Sequence, residues 1–99
     1  MKITLKTIGD LRETLGREPQ EVNLPENSNV KDLLCWIEDH YGARLPAYLW
    51  DTQEHHFRGP VVIIINKKVV LDVNTPLADG LEVSVMKALV GGLLFTSTK

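Results

Sequence analysis

Cysteine is almost absent from this sequence, with Cys35 the single example. A lone thiol cannot staple a domain, so the disulfide-framework class is excluded and a reducing compartment is expected. Positive charge is sparse as well. Eleven basic residues face thirteen acidic ones, and the longest basic run is the pair Lys67-Lys68. That leaves no phosphate-backbone footprint, so nucleic acid is not an expected partner. No apolar run is long enough to span a bilayer, and Met1 to Leu5 enters a strand pattern rather than a leader. The chain also lacks a phosphate-cradling glycine loop, a nucleophile elbow and a paired acid and base. These absences predict a soluble, cytoplasmic chain with no membrane partner, no metal or cofactor of its own, and no catalysis of its own.

What is present is the content of one ordinary globular domain: 99 residues, 43% of them apolar. Lys2 to Ile8 alternates, with Ile3 and Leu5 on one side and Thr4 and Lys6 on the other, as a half-buried strand requires. Glu21 to Leu24, closed by Pro25, reads as its hairpin partner across the connection from Leu11 to Pro19. Asn29 is an N-cap with Asp32 three positions on, and Val30, Leu33, Leu34, Ile37 and Tyr41 form one helical stripe. Gly42 is expected to end that helix at C′. Between Ala43 and Pro60, Pro46 can open a short helix through Trp50, and Asp51 to Gly59 reads as an exposed loop.

The β-branched run Val61 to Ile65 predicts a strand that is either buried on both faces or half covered. Asn66-Lys67-Lys68 turns it onto a short strand, Val69 to Leu71. Thr75 to Gly80 resembles a single capped turn, with Thr75 as cap and Pro76 at the first helical position. Leu81 to Met86 alternates as the last strand. The order predicts an α+β roll of the β-grasp, ubiquitin-like type, with a mixed four- to five-stranded sheet and one main helix. The domain is expected over residues 1–88, with a flexible tail over 89–99.

That tail holds the pair Gly91-Gly92, with nothing after it that resembles a strand or a helix. Glycine has no Cβ, so its main chain can enter a narrow active site. Together with Leu11-Arg12-Glu13, Asn29 to Leu34, Asn66 and above all Thr75 to Val83, the pair gives the chain a resemblance to the ubiquitin-like sulfur carriers of the MoaD/ThiS family. Those include the small subunit of molybdopterin synthase and the thiamin-pathway sulfur carrier. Two departures stand out. Lys87-Ala88 replaces the Pro-Pro pair usual ahead of the glycines, and seven residues, Leu93 to Lys99, follow Gly92.

The resemblance implies a carrier whose Gly92 is adenylated by a ubiquitin-activating-type adenylyltransferase and converted to a thiocarboxylate. The sulfur then passes to a sulfur-accepting biosynthetic enzyme. Molybdopterin or tungstopterin assembly, thiazole formation and amino-acid sulfur assimilation are all open as destinations. The extension implies a C-terminally extended precursor, cut between Gly92 and Leu93 by a JAMM-type metalloprotease. Leu89, Val90, Gly91 and Gly92 would enter the partner, since the six residues from Met86 to Gly92 reach roughly 20 Å. Met86, Leu89, Val62 and Ile64 are the expected docking patch, unless the segment from Ala43 to Pro60 folds over that sheet face. Two alternatives share the scaffold: a protein modifier conjugated through Gly92, and an interaction module that is never cut.

Other residues read more simply. Cys35 falls off the apolar stripe, a partly exposed bystander. Glu54-His55-His56 lacks a second ligand pair at a suitable spacing and reads as surface loop. Trp36 and Trp50 read as hydrophobic anchors around the helix.

Overall fold

The structure, a computed structural model, describes residues 1–58 and 61–87. Five strands form one sheet, residues 20–23, 2–8, 82–87, 61–65 and 68–70 lying side by side in that order. Strand β1 (Lys2–Ile8) pairs antiparallel with β2 (Gln20–Asn23) and parallel with β7 (Glu82–Lys87). Strand β5 (Val61–Ile65) lies antiparallel between β7 and β6 (Lys68–Val70). The mixed sheet and its one main helix are those of the expected β-grasp roll.

Alternation decides what the sheet buries. Ile3, Leu5, Ile63, Ile65, Val83 and Val85 share the inner face and are buried. Helix α2 (Val30–Tyr41) covers them with Val30, Leu33, Leu34 and Ile37, a stripe set by the period of the helix. Its start is fixed by a reciprocal capping box. The Asn29 carboxamide oxygen accepts from the Asp32 N–H at 3.1 Å, and the Asp32 carboxylate accepts from the Asn29 N–H at 2.9 Å. Such a cap contributes about 1 kcal/mol.

The chain departs from its sequence reading in four places. Gly42 keeps helical angles and carries the backbone into a 3-10 turn, Gly42–Arg44, instead of adopting the left-handed C′ conformation. The connection after β1 contains a 3-10 turn and the short helix α1 (Arg12–Leu15), which buries Leu15. Pro46 opens one turn and no helix, and the supposed loop from Asp51 holds a small hairpin, β3 (Trp50–Asp51) with β4 (His56–Phe57). Thr75 to Gly80 is not a capped helical turn. Pro76 bridges to Asn29, while the Leu77 N–H donates to the Ser28 carbonyl at 2.9 Å. Tertiary bonding outweighs the local cap signal there. Gly80, at φ 86°, then delivers the chain to β7, its N–H donating to the Lys2 carbonyl at 2.7 Å.

Candidate functional site

Among the described residues no helix lies over the outer sheet face. Segment 45–58 does not take that place. It sits beside α2, adding Leu45, Leu49, Trp50 and Phe57 to the same core and passing hydrogen bonds to Glu38 on the helix. The described residues therefore leave the outer face open, and the register places its residues in rows. Ile8, Met86 and Val62 form one row across β1, β7 and β5. Lys6, Ser84, Ile64 and Val69 form the next, reaching β6.

Val62, Ile64 and Met86 are half-buried, Ile8 is 38% exposed and Val69 is 46% exposed. Five apolar side chains on two adjacent rows make a continuous patch, the type of surface that partners cover. Charge borders it on one side, where the Lys6 ammonium lies 3.9 Å from the Glu82 carboxylate.

Three of the predicted patch residues, Met86, Val62 and Ile64, thus come together. Leu89 lies outside the described residues, as do Val90, Gly91, Gly92 and the cleavage position Gly92-Leu93. Ile8 and Val69 were missed. Both were within reach of sequence reasoning: Ile8 shares the parity of Thr4 and Lys6 on β1, and the two-residue turn at Asn66-Lys67 sets Val69 opposite Ile64. β7 ends at Lys87, one residue beyond Met86, so the last described residue lies beside the patch.

Glu38 gathers two donors on the other side of the molecule. Trp50 donates its indole Nε1–H to one carboxylate oxygen at 2.9 Å, and His55 Nδ1 lies 2.8 Å from the other. The Trp50 hydrogen bond, then that of His55, holds the Glu38 carboxyl below the usual carboxylate range. Asp51 is lowered too, mainly by the Glu54 and Gln53 backbone N–H groups that its carboxylate accepts. The Glu38 contacts pin the β3–β4 hairpin to α2, those of Asp51 close its turn, and neither gathers a metal site. Among the described residues no three His, Cys, Asp or Glu side chains converge. Cys35 is exposed. Trp50 is buried, edge-on to Phe57 at 4.9 Å, while Trp36 is half-buried and stacks on His40 at 3.9 Å.

No helix among the described residues is long and apolar enough to cross a membrane. Comparison with known proteins bears on what such a scaffold is. A search of curated protein sequences returns no significant match. Among solved structures, the chain is similar to SAMP1 from Haloferax volcanii, with a TM-score of 0.75 and 18% identity over 93% of this chain and 100% of that one. It is also similar to a putative molybdopterin converting factor subunit 1 from Pyrococcus furiosus, at TM-score 0.68 and 24% identity, covering 89% and 98%. A chain in the complex of subunits 1 and 2 of the molybdopterin-converting factor from Helicobacter pylori matches at TM-score 0.62 and 21% identity, covering 93% and 100%. The ThiS family model matches residues 5–92, ending on the second glycine of the Gly91-Gly92 pair. With the β-grasp fold and that match across most of its length, the chain belongs to the ThiS family.

Proposed function

We propose that this chain is a cytoplasmic sulfur carrier whose Gly92 becomes reactive after removal of residues 93–99. The observation that carries the reading is the open patch of Ile8, Val62, Ile64, Val69 and Met86 beside the end of β7. A partner that covers the patch receives the chain beyond Lys87 at its own surface. Five more residues, with a reach of roughly 17 Å, bring Gly92 into its interior.

The chemistry follows from the carboxylate. Its resonance makes the carbonyl a poor electrophile. Attack of a carboxylate oxygen on the α-phosphorus of ATP, with pyrophosphate leaving, gives an acyl adenylate. A sulfide sulfur then attacks the carbonyl carbon and AMP leaves, giving the thiocarboxylate directly. A persulfide sulfur gives an acyl disulfide, from which a thiol of the partner enzyme displaces the thiocarboxylate and itself ends in a disulfide. The adenylyltransferase supplies all of this catalysis. The carrier contributes a peptide end without side chains, and it donates the sulfur in turn to a biosynthetic enzyme. The existence of the Helicobacter pylori two-subunit complex supports an accepting partner of that sort. A JAMM-type metalloprotease is the proposed agent of the cut after Gly92.

Intact mass of the chromosomally encoded protein tests the reading. The expected species ends at Gly92, with a fraction heavier by the replacement of one oxygen by sulfur. Quantitative retention of Lys99 in cells that express the partners overturns it. Similarity to SAMP1, a small archaeal modifier protein, favours a second use of the same activated end, an isopeptide with lysines of other proteins. Higher-mass conjugate ladders in lysates would mark that use.

A further inference from the structure

Beside α2, the edge strand β6 borders an apolar hollow of about 300 Å³, walled chiefly by Leu34, Phe57, Val61, Ile63, Val70 and Val73. Leu71 stands at its rim, 88% exposed, a large cost in apolar surface for one residue. The polar groups at the other rim are already engaged. Arg58 donates Nε–H to the Ala47 carbonyl at 2.8 Å and lies 3.7 Å from the Asp51 carboxylate, and His56 Nδ1 lies 2.8 Å from the Phe57 carbonyl. An apolar occupant suits this lining better than an anion.

The hollow lies at the end of the sheet where β7 stops, because Val61 on its wall is the register partner of Lys87. Strands β7 and β6 are two strand spacings apart, roughly 10 Å. Beyond the described residues the sequence supplies two apolar triplets, Ala88-Leu89-Val90 directly after Lys87 and the bulkier Leu93-Leu94-Phe95, the latter joined to Lys87 by the five residues 88–92. That bridge reaches about 17 Å, enough to turn the corner of the sheet. A tether so short places the triplet at a millimolar local concentration, an advantage that a second copy or an unlinked peptide lacks.

We propose that Leu93-Leu94-Phe95 of the uncut chain seats in this hollow against Leu71 and β6. The seating itself rests on the hollow, the triplet and the length between them. Its consequence rests on the carrier reading above: a seated triplet draws residues 88–92 across the sheet end and holds Gly91-Gly92 away from the adenylyltransferase. Removal of residues 93–99 would then release the arm as well as create its carboxylate.

Nuclear magnetic resonance of the full chain, the protein ending at Gly92 and the full-length Leu94→Asp/Phe95→Asp variant tests the seating. Signals of Phe57, Val61, Ile63, Val70 and Leu71 should move on truncation, and the variant should reproduce the same shifts. Identical hollow signals in full and truncated protein overturn the proposal. Shifts that grow with protein concentration also overturn it, since they assign the hollow to a second copy. As an independent readout, chymotrypsin should cut after Phe95 roughly tenfold faster in Leu71→Asp than in the native chain, and equal rates count against the seating. Neither readout depends on cellular processing at Gly92, so failure of the carrier reading would leave both outcomes unchanged.

Discussion

Ile63 and Ile64 are chemically identical neighbours on β5, and the pleat sends them to opposite faces of the sheet. Ile63 is buried with Val85 and Leu33 beneath α2, whereas Ile64 stands half-exposed between Ser84 and Val69. The same contrast runs through β7, where Val83 and Val85 are fully buried while Ser84 and Met86 are not. One face therefore holds the domain together and the other is left for contact. An apolar run in a two-layer fold thus carries two meanings, and only the number of covering elements separates them. Among the described residues the main helix α2 and a short hairpin lie on the same side, and the opposite side keeps its apolar residues partly in solvent.

Substitution can break this contrast most strongly at Ile63. Ile63→Ala is expected to lower unfolding stability by about 2–4 kcal/mol, through lost burial and a residual cavity. Denaturant titration measures it. Ile64→Ser should cost about 1 kcal/mol or less, because its side chain is already half in water. Yet in combination with Met86→Ser it should weaken association with an adenylating partner at least about tenfold, near 1.4 kcal/mol. Equal stability losses at positions 63 and 64 would show that the outer face is covered after all. A double variant that binds as the native chain does would remove the patch from the docking surface.

The inner face was the legible one. The helix stripe of α2, the alternation in β1 and β7, and the run Val61 to Ile65 are local patterns that burial merely completes. The β3–β4 hairpin was hidden because each strand has two residues, too few for a period of two to declare itself. What fixes it is distant in sequence: Trp50 and His55 bond to Glu38, 12 and 17 residues away. Pro76 was misread for a related reason. Its bridge to Asn29 crosses the molecule, and no local rule anticipates it. Of the candidate site, the half on β5 and β7 followed from alternation. Ile8 and Val69 needed the pairing register, which hydrophobicity alone does not supply.

A gain in stability is expected at the turn that sets part of this register. Asn66 and Lys67 both hold positive φ, 54° and 66°, as a two-residue turn of type I′ demands. Lysine bears a Cβ cost in that region that glycine does not, and asparagine-glycine is the preferred pair. Lys67→Gly should therefore raise stability by about 0.5–1 kcal/mol, the larger unfolded-state entropy of glycine taking back part of the gain. Thermal unfolding reads this directly. A loss instead would mean that the Lys67 side chain is needed beside Ile64 and Glu82, where it lines a hollow on the outer sheet face.

The smallest effect concerns acid, and it separates the hairpin from the sheet. The Trp50 and His55 hydrogen bonds hold the ionised form of Glu38, so its folded-state pKa lies below that of the unfolded chain. Asp51 is shifted the same way, first by the Glu54 N–H and then by that of Gln53, with the Arg58 charge adding to them. A depressed carboxylate favours the folded state above the ordinary carboxylate range and loses that preference as pH falls through its folded value. Loosening of residues 50–57 is therefore expected below about pH 4, ahead of any change in the sheet, whose buried face carries no carboxylate. The Trp50 indole N–H signal and amide exchange across the hairpin should report it between pH 6 and pH 3. Glu38→Gln keeps an acceptor for the indole but cannot titrate, so it should flatten part of the profile and leave the Asp51 contribution. Exchange in the hairpin and the sheet rising together on acidification would instead make the two parts one cooperative unit.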